Sequence, residues 1–141
     1  MTAALYAGVA LTAALSCAWD LRLRRIPNLL TVGSAAAACC VHLALSGPAG
    51  AGFSVAGWVL GIALFLPWFL ARAMGGGDVK LLGAVGAWLG PVEIVWACLF
   101  AMAAGGVVAL VLLAAPRRER PRAIAYAVPV TMGVALALWL R

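Results

Sequence analysis

Gly75-Gly76-Gly77-Asp78-Val79-Lys80 lies between two long apolar runs and carries one of only four acidic residues in a chain of 141. An ionisable side chain beside a bilayer is costly, so an acid in such a setting marks a functional site. The three glycines in front of it remove side-chain bulk and leave backbone that another segment can approach closely. Whether a second acid reaches Asp78 depends on how the flanking runs cross.

Composition sets the class. The chain is 67% hydrophobic and 10% charged, with a mean hydropathy of +1.12, far above the roughly 45–50% apolar content of soluble domains. A chain this small cannot hide that much apolar surface in its own core, and a bilayer solvates it. The expectation is one all-α, polytopic membrane domain covering residues 1–141. The net charge of +6 does not point to nucleic acid. The basic residues fall in short clusters between apolar runs, the pattern of cytoplasmic loops. Cys17, Cys39, Cys40 and Cys98 all sit inside apolar runs without a CxxC pair, as small residues of membrane helices.

Six spans are expected. The first runs from about Thr2 to Trp19 and meets Asp20; it lacks the basic start and cleavage site of a signal peptide. Arg22, Arg24 and Arg25 follow, and Pro27, with its fixed φ, suits the first turn of the next helix. The second span, about Leu29–Leu45, closes at Ser46-Gly47-Pro48-Ala49-Gly50. The third, about Phe53–Ala71, has Gly57 and Gly61 spaced for close helix packing. The fourth run, Val79–Leu89, would be only about 16 Å long against a core of about 30 Å. It either takes the glycine stretch into the membrane or forms a short helix beside a thinned region. Gly90-Pro91-Val92-Glu93 makes an outer turn before the fifth span, about Val92–Ala115. A basic loop, residues 116–122, leads to the sixth, about Ala123–Leu140, which contains Pro129 and Gly133.

With six spans, nine basic residues (Arg22, Arg24, Arg25, Arg72, Lys80, Arg117, Arg118, Arg120 and Arg122) fall on one side and only Arg141 on the other. That bias puts the amino terminus outside and the start of the fourth helix at the cytoplasmic face. Trp19 and Trp68 fall near inner span ends, and Trp58, Trp88, Trp96 and Trp139 near outer ends, as an interfacial belt. Asp20 and Asp78 then share one membrane level. The sequence does not place them side by side; if they are neighbours, the two carboxylates cannot both ionise readily, and one would activate a water while the other protonates the carbonyl under attack. Helix polarity favours the charged form at Asp78 and the neutral form at Asp20.

These residues resemble those of type IV prepilin peptidases, particularly the short form found with Flp/Tad pilus systems. Asp20 with Arg24-Arg25-Ile26-Pro27-Asn28 resembles the first-aspartate segment. Gly75-Gly76-Gly77-Asp78-Val79-Lys80-Leu81-Leu82 through Gly90 resembles the GxGD segment, and Ala125–Gly133, around Pro129, a proline motif of the last helix. The resemblance implies a membrane aspartic endopeptidase with Asp20 and Asp78 as catalytic pair. It implies cleavage of a basic leader from prepilins or pseudopilins at the cytoplasmic face of the inner membrane. No cofactor or metal is implied. Nothing matches the paired-CxxC segment of the longer, methylating members, so cleavage without methyl transfer is expected.

Around the pair, Gly75, Gly76, Gly77, Lys80, Pro27, Asn28 and Pro129 are candidates for the active-site loops. The glycines would admit Asp20 or the substrate strand, Lys80 would be a snorkelling anchor, and Pro129 would shape the cleft. His42 is expected at an interface rather than on a metal; Glu93 and Glu119 are expected to be solvated. The alternatives are a preflagellin-type or other GxGD protease, and a non-catalytic six-helix transporter or scaffold. A transporter would show broken helices in paired positions of two related halves, and only one glycine break is present.

Overall fold

The computed structural model describes residues 3–23, 27–72 and 74–114, together with Met132 and Ala135. Among these residues the structure has four helices: α1 (Ala3–Leu23), α2 (Asn28–Leu70), α3 (Gly76–Leu89) and α4 (Pro91–Ala114). Three of them, α1, α2 and α4, are long and apolar enough to cross a membrane. Six helices are not shown among the described residues. The GxGD stretch opens the third helix, not a fourth, and the expected sixth span, with Pro129, lies outside the described residues apart from Met132 and Ala135.

Among the described residues the second and third expected spans belong to one helical element. As a straight rod the 43 residues of α2 would measure about 65 Å, twice the thickness of a bilayer core. It is not straight. Gly47 has φ 64° and ψ −155°, a conformation only glycine adopts readily, and Pro48 follows it. Beyond this break the chain turns back on itself: the rings of His42 and Phe53 lie 5.7 Å apart between centroids, and the Gly50 backbone rests against the His42 carbonyl. Eleven residues along a straight helix would separate those rings by about 16 Å. The expected five-residue turn is thus narrowed to Gly47, between arms 28–46 and 48–70.

α3 is the hub. It has 14 residues, about 21 Å, too short to span, and every residue from Leu81 to Gly90 is buried. α1, α2 and α4 all pack on it. The second arm of α2 approaches closest. A Cβ on Gly57 would run into the carbonyl of Gly86, and one on Gly61 into that of Leu82. Small residues let the two backbones touch, the usual way that membrane helices gain packing without a hydrophobic drive between them.

A buried helix end must find partners for its last carbonyls. Both arms of α2 supply them. Ser54 Oγ donates to the Ala87 carbonyl at 2.8 Å, and His42 Nε2 donates to that of Trp88 at 3.1 Å. Gly90 N–H closes on the Gly86 carbonyl at 2.8 Å. Gly90 takes φ 82° against the ring of Phe53, where no side chain fits, and Pro91 starts α4. The expected outer turn is therefore one residue long, and Glu93 stands half-buried in the first turn of α4 rather than in a loop.

Two further expectations are corrected here. His42 is buried and caps α3 instead of sitting at an interface. Trp88 is core, 7% exposed, whereas Trp19, Trp58, Trp68 and Trp96 are exposed. Trp139 lies outside the described residues.

Candidate active site

α1 carries Asp20. The helix continues past Trp19 to Leu23, so Asp20 belongs to its last turns and not to the loop after it. Leu5, Val9, Thr12 and Ser16 are buried and Asp20 half-buried, a stripe at helical spacing that turns from apolar to polar toward the carboxylate. The other end of α1 is fixed on α3, where a Cβ on Gly8 would enter the ring of Trp88. Asp20 in turn acts on Asp78. Residue 8 meets 88 and residue 20 lies within electrostatic reach of 78, so α1 and α3 run antiparallel.

A directed hydrogen-bond chain holds that register. Trp88 Nε1 donates to Ser34 Oγ at 2.8 Å, Ser34 lies 2.6 Å from Thr12 Oγ1, and Thr12 donates to the Gly8 carbonyl at 2.7 Å. A carbonyl only accepts, so Thr12 spends its one proton there and Ser34 must donate to Thr12. Three helical segments are tied by one chain. Sequence reasoning passed over it; the four-residue spacing of Gly8, Thr12, Ser16 and Asp20 was the signal available.

Asp78 is the third residue of α3, ahead of its fully buried run and outside the three spanning helices. Its carboxylate accepts from the Gly75 N–H, which is the reciprocal half of a capping box whose N-cap residue has no side chain. A Cβ on Gly75 would stand 3.3 Å from Asp78 Oδ2, and one on Gly76 3.2 Å from the ring of Phe69. The first two glycines thus let the carboxylate and Phe69 close over the helix start, and Gly77 is half-buried beside them. Burial, reinforced by the charge of Asp20, pushes the Asp78 carboxyl up to about 6 against the lowering effect of the Gly75 hydrogen bond. This differs from the expectation from helix polarity: at Asp78 desolvation outweighs the helix terminus.

Lys80 is two residues on, about 200° around the helix from Asp78. Its Nζ donates to Asn28 Oδ1 at 2.9 Å, so it ties α3 to the first residue of α2 instead of snorkelling free. Pro27 is the N-cap of α2, and its carbonyl accepts from the N–H groups of Leu30 and Thr31 at 3.1 and 3.4 Å. Arg72 closes α2 with φ 58°, a left-handed conformation where glycine is the usual residue, and its N–H bonds the Phe69 carbonyl at 2.9 Å. The structure therefore brings Asp20, Asp78 and the glycines to one end of α3, with the Lys80–Asn28 bond and Pro27 beside them. Pro129 and Glu119 lie outside the described residues. Among the described residues no three His, Cys, Asp or Glu side chains converge as metal ligands.

Comparison with curated proteins and with solved structures returns no match. The sequence model of the type IV leader peptidase family matches residues 7–110, a stretch that holds both carboxylates, the glycines, Pro27, Asn28 and Lys80. The chain belongs to the type IV leader peptidase family.

Proposed function

We propose that the chain is an aspartic endopeptidase of the inner membrane that removes the leader from prepilins or pseudopilins through Asp20 and Asp78. The observation that carries this reading is the electrostatic action of Asp20 on a half-buried Asp78 across the α1–α3 contact. Two such carboxyls share one proton, and burial favours Asp78 as its holder. Asp20 takes a proton from water, the resulting hydroxide attacks the scissile carbonyl carbon, and Asp78 gives its proton to the carbonyl oxygen. The tetrahedral diol collapses as Asp20 returns its proton to the leaving nitrogen and Asp78 recovers one from a hydroxyl. Acid and amine products leave the pair as it began.

The charge bias of the loops supports a cytoplasmic site, with the amino terminus outside. The likeness to the short Flp/Tad form supports cleavage without methyl transfer. The substrate side is a basic leader ahead of a hydrophobic helix lying in the bilayer. The test is processing of a leader-bearing prepilin by membranes carrying the chain, compared in inverted and right-side-out vesicles. The reading expects cleavage of externally added substrate by inverted vesicles. A panel of prepilins left uncut in both would move a non-catalytic scaffold ahead.

A further inference from the structure

α1 is the helix that carries Asp20 toward Asp78, and most of its surface does not say how deep it should sit. Its buried apolar side chains are Leu5, Val9 and Ala13. Such residues pack against a helix or against lipid with little difference, so they do not fix the depth of a membrane helix by themselves. The polar chain through Ser34 does. Trp88 Nε1 gives its one proton to Ser34 at 2.8 Å, and Ser34 gives its own to Thr12 at 2.6 Å. This chain closes only when Thr12 of α1, Ser34 of the first arm of α2 and Trp88 of α3 stand at one level. The ring of Trp88 meanwhile lies on Gly8, one turn before Thr12.

Helix geometry carries that level to the other end. Asp78 stands ten residues before Trp88 on α3, about 15 Å along the axis. Ten residues beyond Gly8 on the antiparallel α1 is position 18, about 3 Å short of Asp20. The two carboxylates are thus brought to nearly one depth by contacts made far from them. A slip of α1 by one residue would move Asp20 by about 1.5 Å along the axis and about 100° around it.

We propose that Ser34 is a positioning residue for the aspartate pair: accepting from Trp88 and donating to Thr12, it locks the depth and rotation of α1 on α3 and so sets Asp20 against Asp78. Ser34 acts from the far end of the α1–α3 contact and touches no reacting atom. It is the one member of the chain bonded to both other helices, so its loss breaks both links at once. The proposal rests on the aspartate-pair reading above.

The experiment has two readouts. The first is kcat and KM for prepilin cleavage by wild type, Ser34→Ala, Ser34→Thr and Thr12→Val, with Asp20→Asn and Asp78→Asn alongside. The second is geometric: Asp20→Cys with Asp78→Cys, in a chain whose Cys17, Cys39, Cys40 and Cys98 are replaced by Ala, is treated with a short bis-maleimide in membranes and the intramolecular cross-link is read by mass spectrometry. Ser54→Ala is the control, since it removes a buried hydroxyl bond to the Ala87 carbonyl of α3 and leaves the Ser34 chain intact.

Ser34→Ala lowers kcat about tenfold with KM unchanged, and lowers the cross-link yield at least twofold. Thr12→Val does the same, and the double variant is no worse than either. Ser34→Thr, which keeps the hydroxyl, retains most of kcat and of the cross-link. Ser54→Ala loses thermal midpoint but keeps both. An unchanged kcat or an unchanged cross-link in Ser34→Ala, while both aspartate variants are inactive, overturns the role of Ser34 alone. Equal loss of kcat in Ser54→Ala also overturns it, as an effect of stability. Activity surviving in both aspartate variants removes the pair itself, and the proposal with it.

Discussion

Lys80 on α3 donates to Asn28 at the start of α2, over 2.9 Å and fifty-two residues of sequence. The bond joins the helix that bears Asp78 to the segment that follows Asp20, so it bears on the separation of the two carboxylates. Both partners are exposed, and an exposed bond to a charged donor contributes about 1 kcal/mol. Lys80→Gln and Asn28→Ala should each lower processing about fivefold. The double variant should lose no more than either single one, and Asn28→Asp, which keeps an acceptor, should stay near wild type. A double-mutant cycle on initial cleavage rates checks this.

The Asp78 carboxyl titrates near 6 in the fold against an ordinary 3.8. The folded chain therefore holds this proton more tightly than the unfolded chain does. The stability it contributes is full below about pH 4 and is lost as pH rises through about 6. Asp78→Asn removes that titration. The variant should be more stable than wild type at pH 7.5, on the order of 2 kcal/mol, and the difference should vanish near pH 4. Thermal midpoints in detergent across that range decide it.

Gly57 and Gly86 bring α2 and α3 into backbone contact, while Gly52 has no heavy atom within 4 Å of where a Cβ would stand. Gly57→Val and Gly86→Val should force the helices apart, costing about 3 kcal/mol or more through overpacking. Gly52→Ala should be neutral or gain up to about 1 kcal/mol of helix propensity. Detergent melting curves of the three variants give the contrast.

His42 serves the Trp88 carbonyl in the buried end of α3. His42→Ala leaves that carbonyl without its donor and should cost about 1–3 kcal/mol, whereas His42→Gln, which retains an N–H, should cost less. The same melting assay ranks them.

Much of the site was legible because it depends on local chemistry and on counting. Glycines ahead of an acid marked a helix start, and two opposed arms returned the chain from Asp20 to the level of Asp78. The glycine-proline turn marked the fold-back of α2. What one sequence leaves out is lateral: which helix is central and which neighbour each side chain meets. α3 looked like a short, awkward span because its burial by three other helices leaves no periodicity to read. Trp88 and His42 looked interfacial because their places near helix ends suit an aromatic belt as well as a cap, and only the packing of α1 and α2 on α3 separates the two. The helix-polarity argument for Asp78 failed for a related reason, since desolvation depends on those same neighbours.

The central claim is that Asp20 and Asp78 act as one unit. The most direct measurement is cleavage of a prepilin by wild type, Asp20→Asn, Asp78→Asn and the double variant, all shown to insert equally. Each single substitution should lower the rate by about a thousandfold or more, and the double variant should be no worse than either. Either single variant cleaving at the wild-type rate would contradict the account.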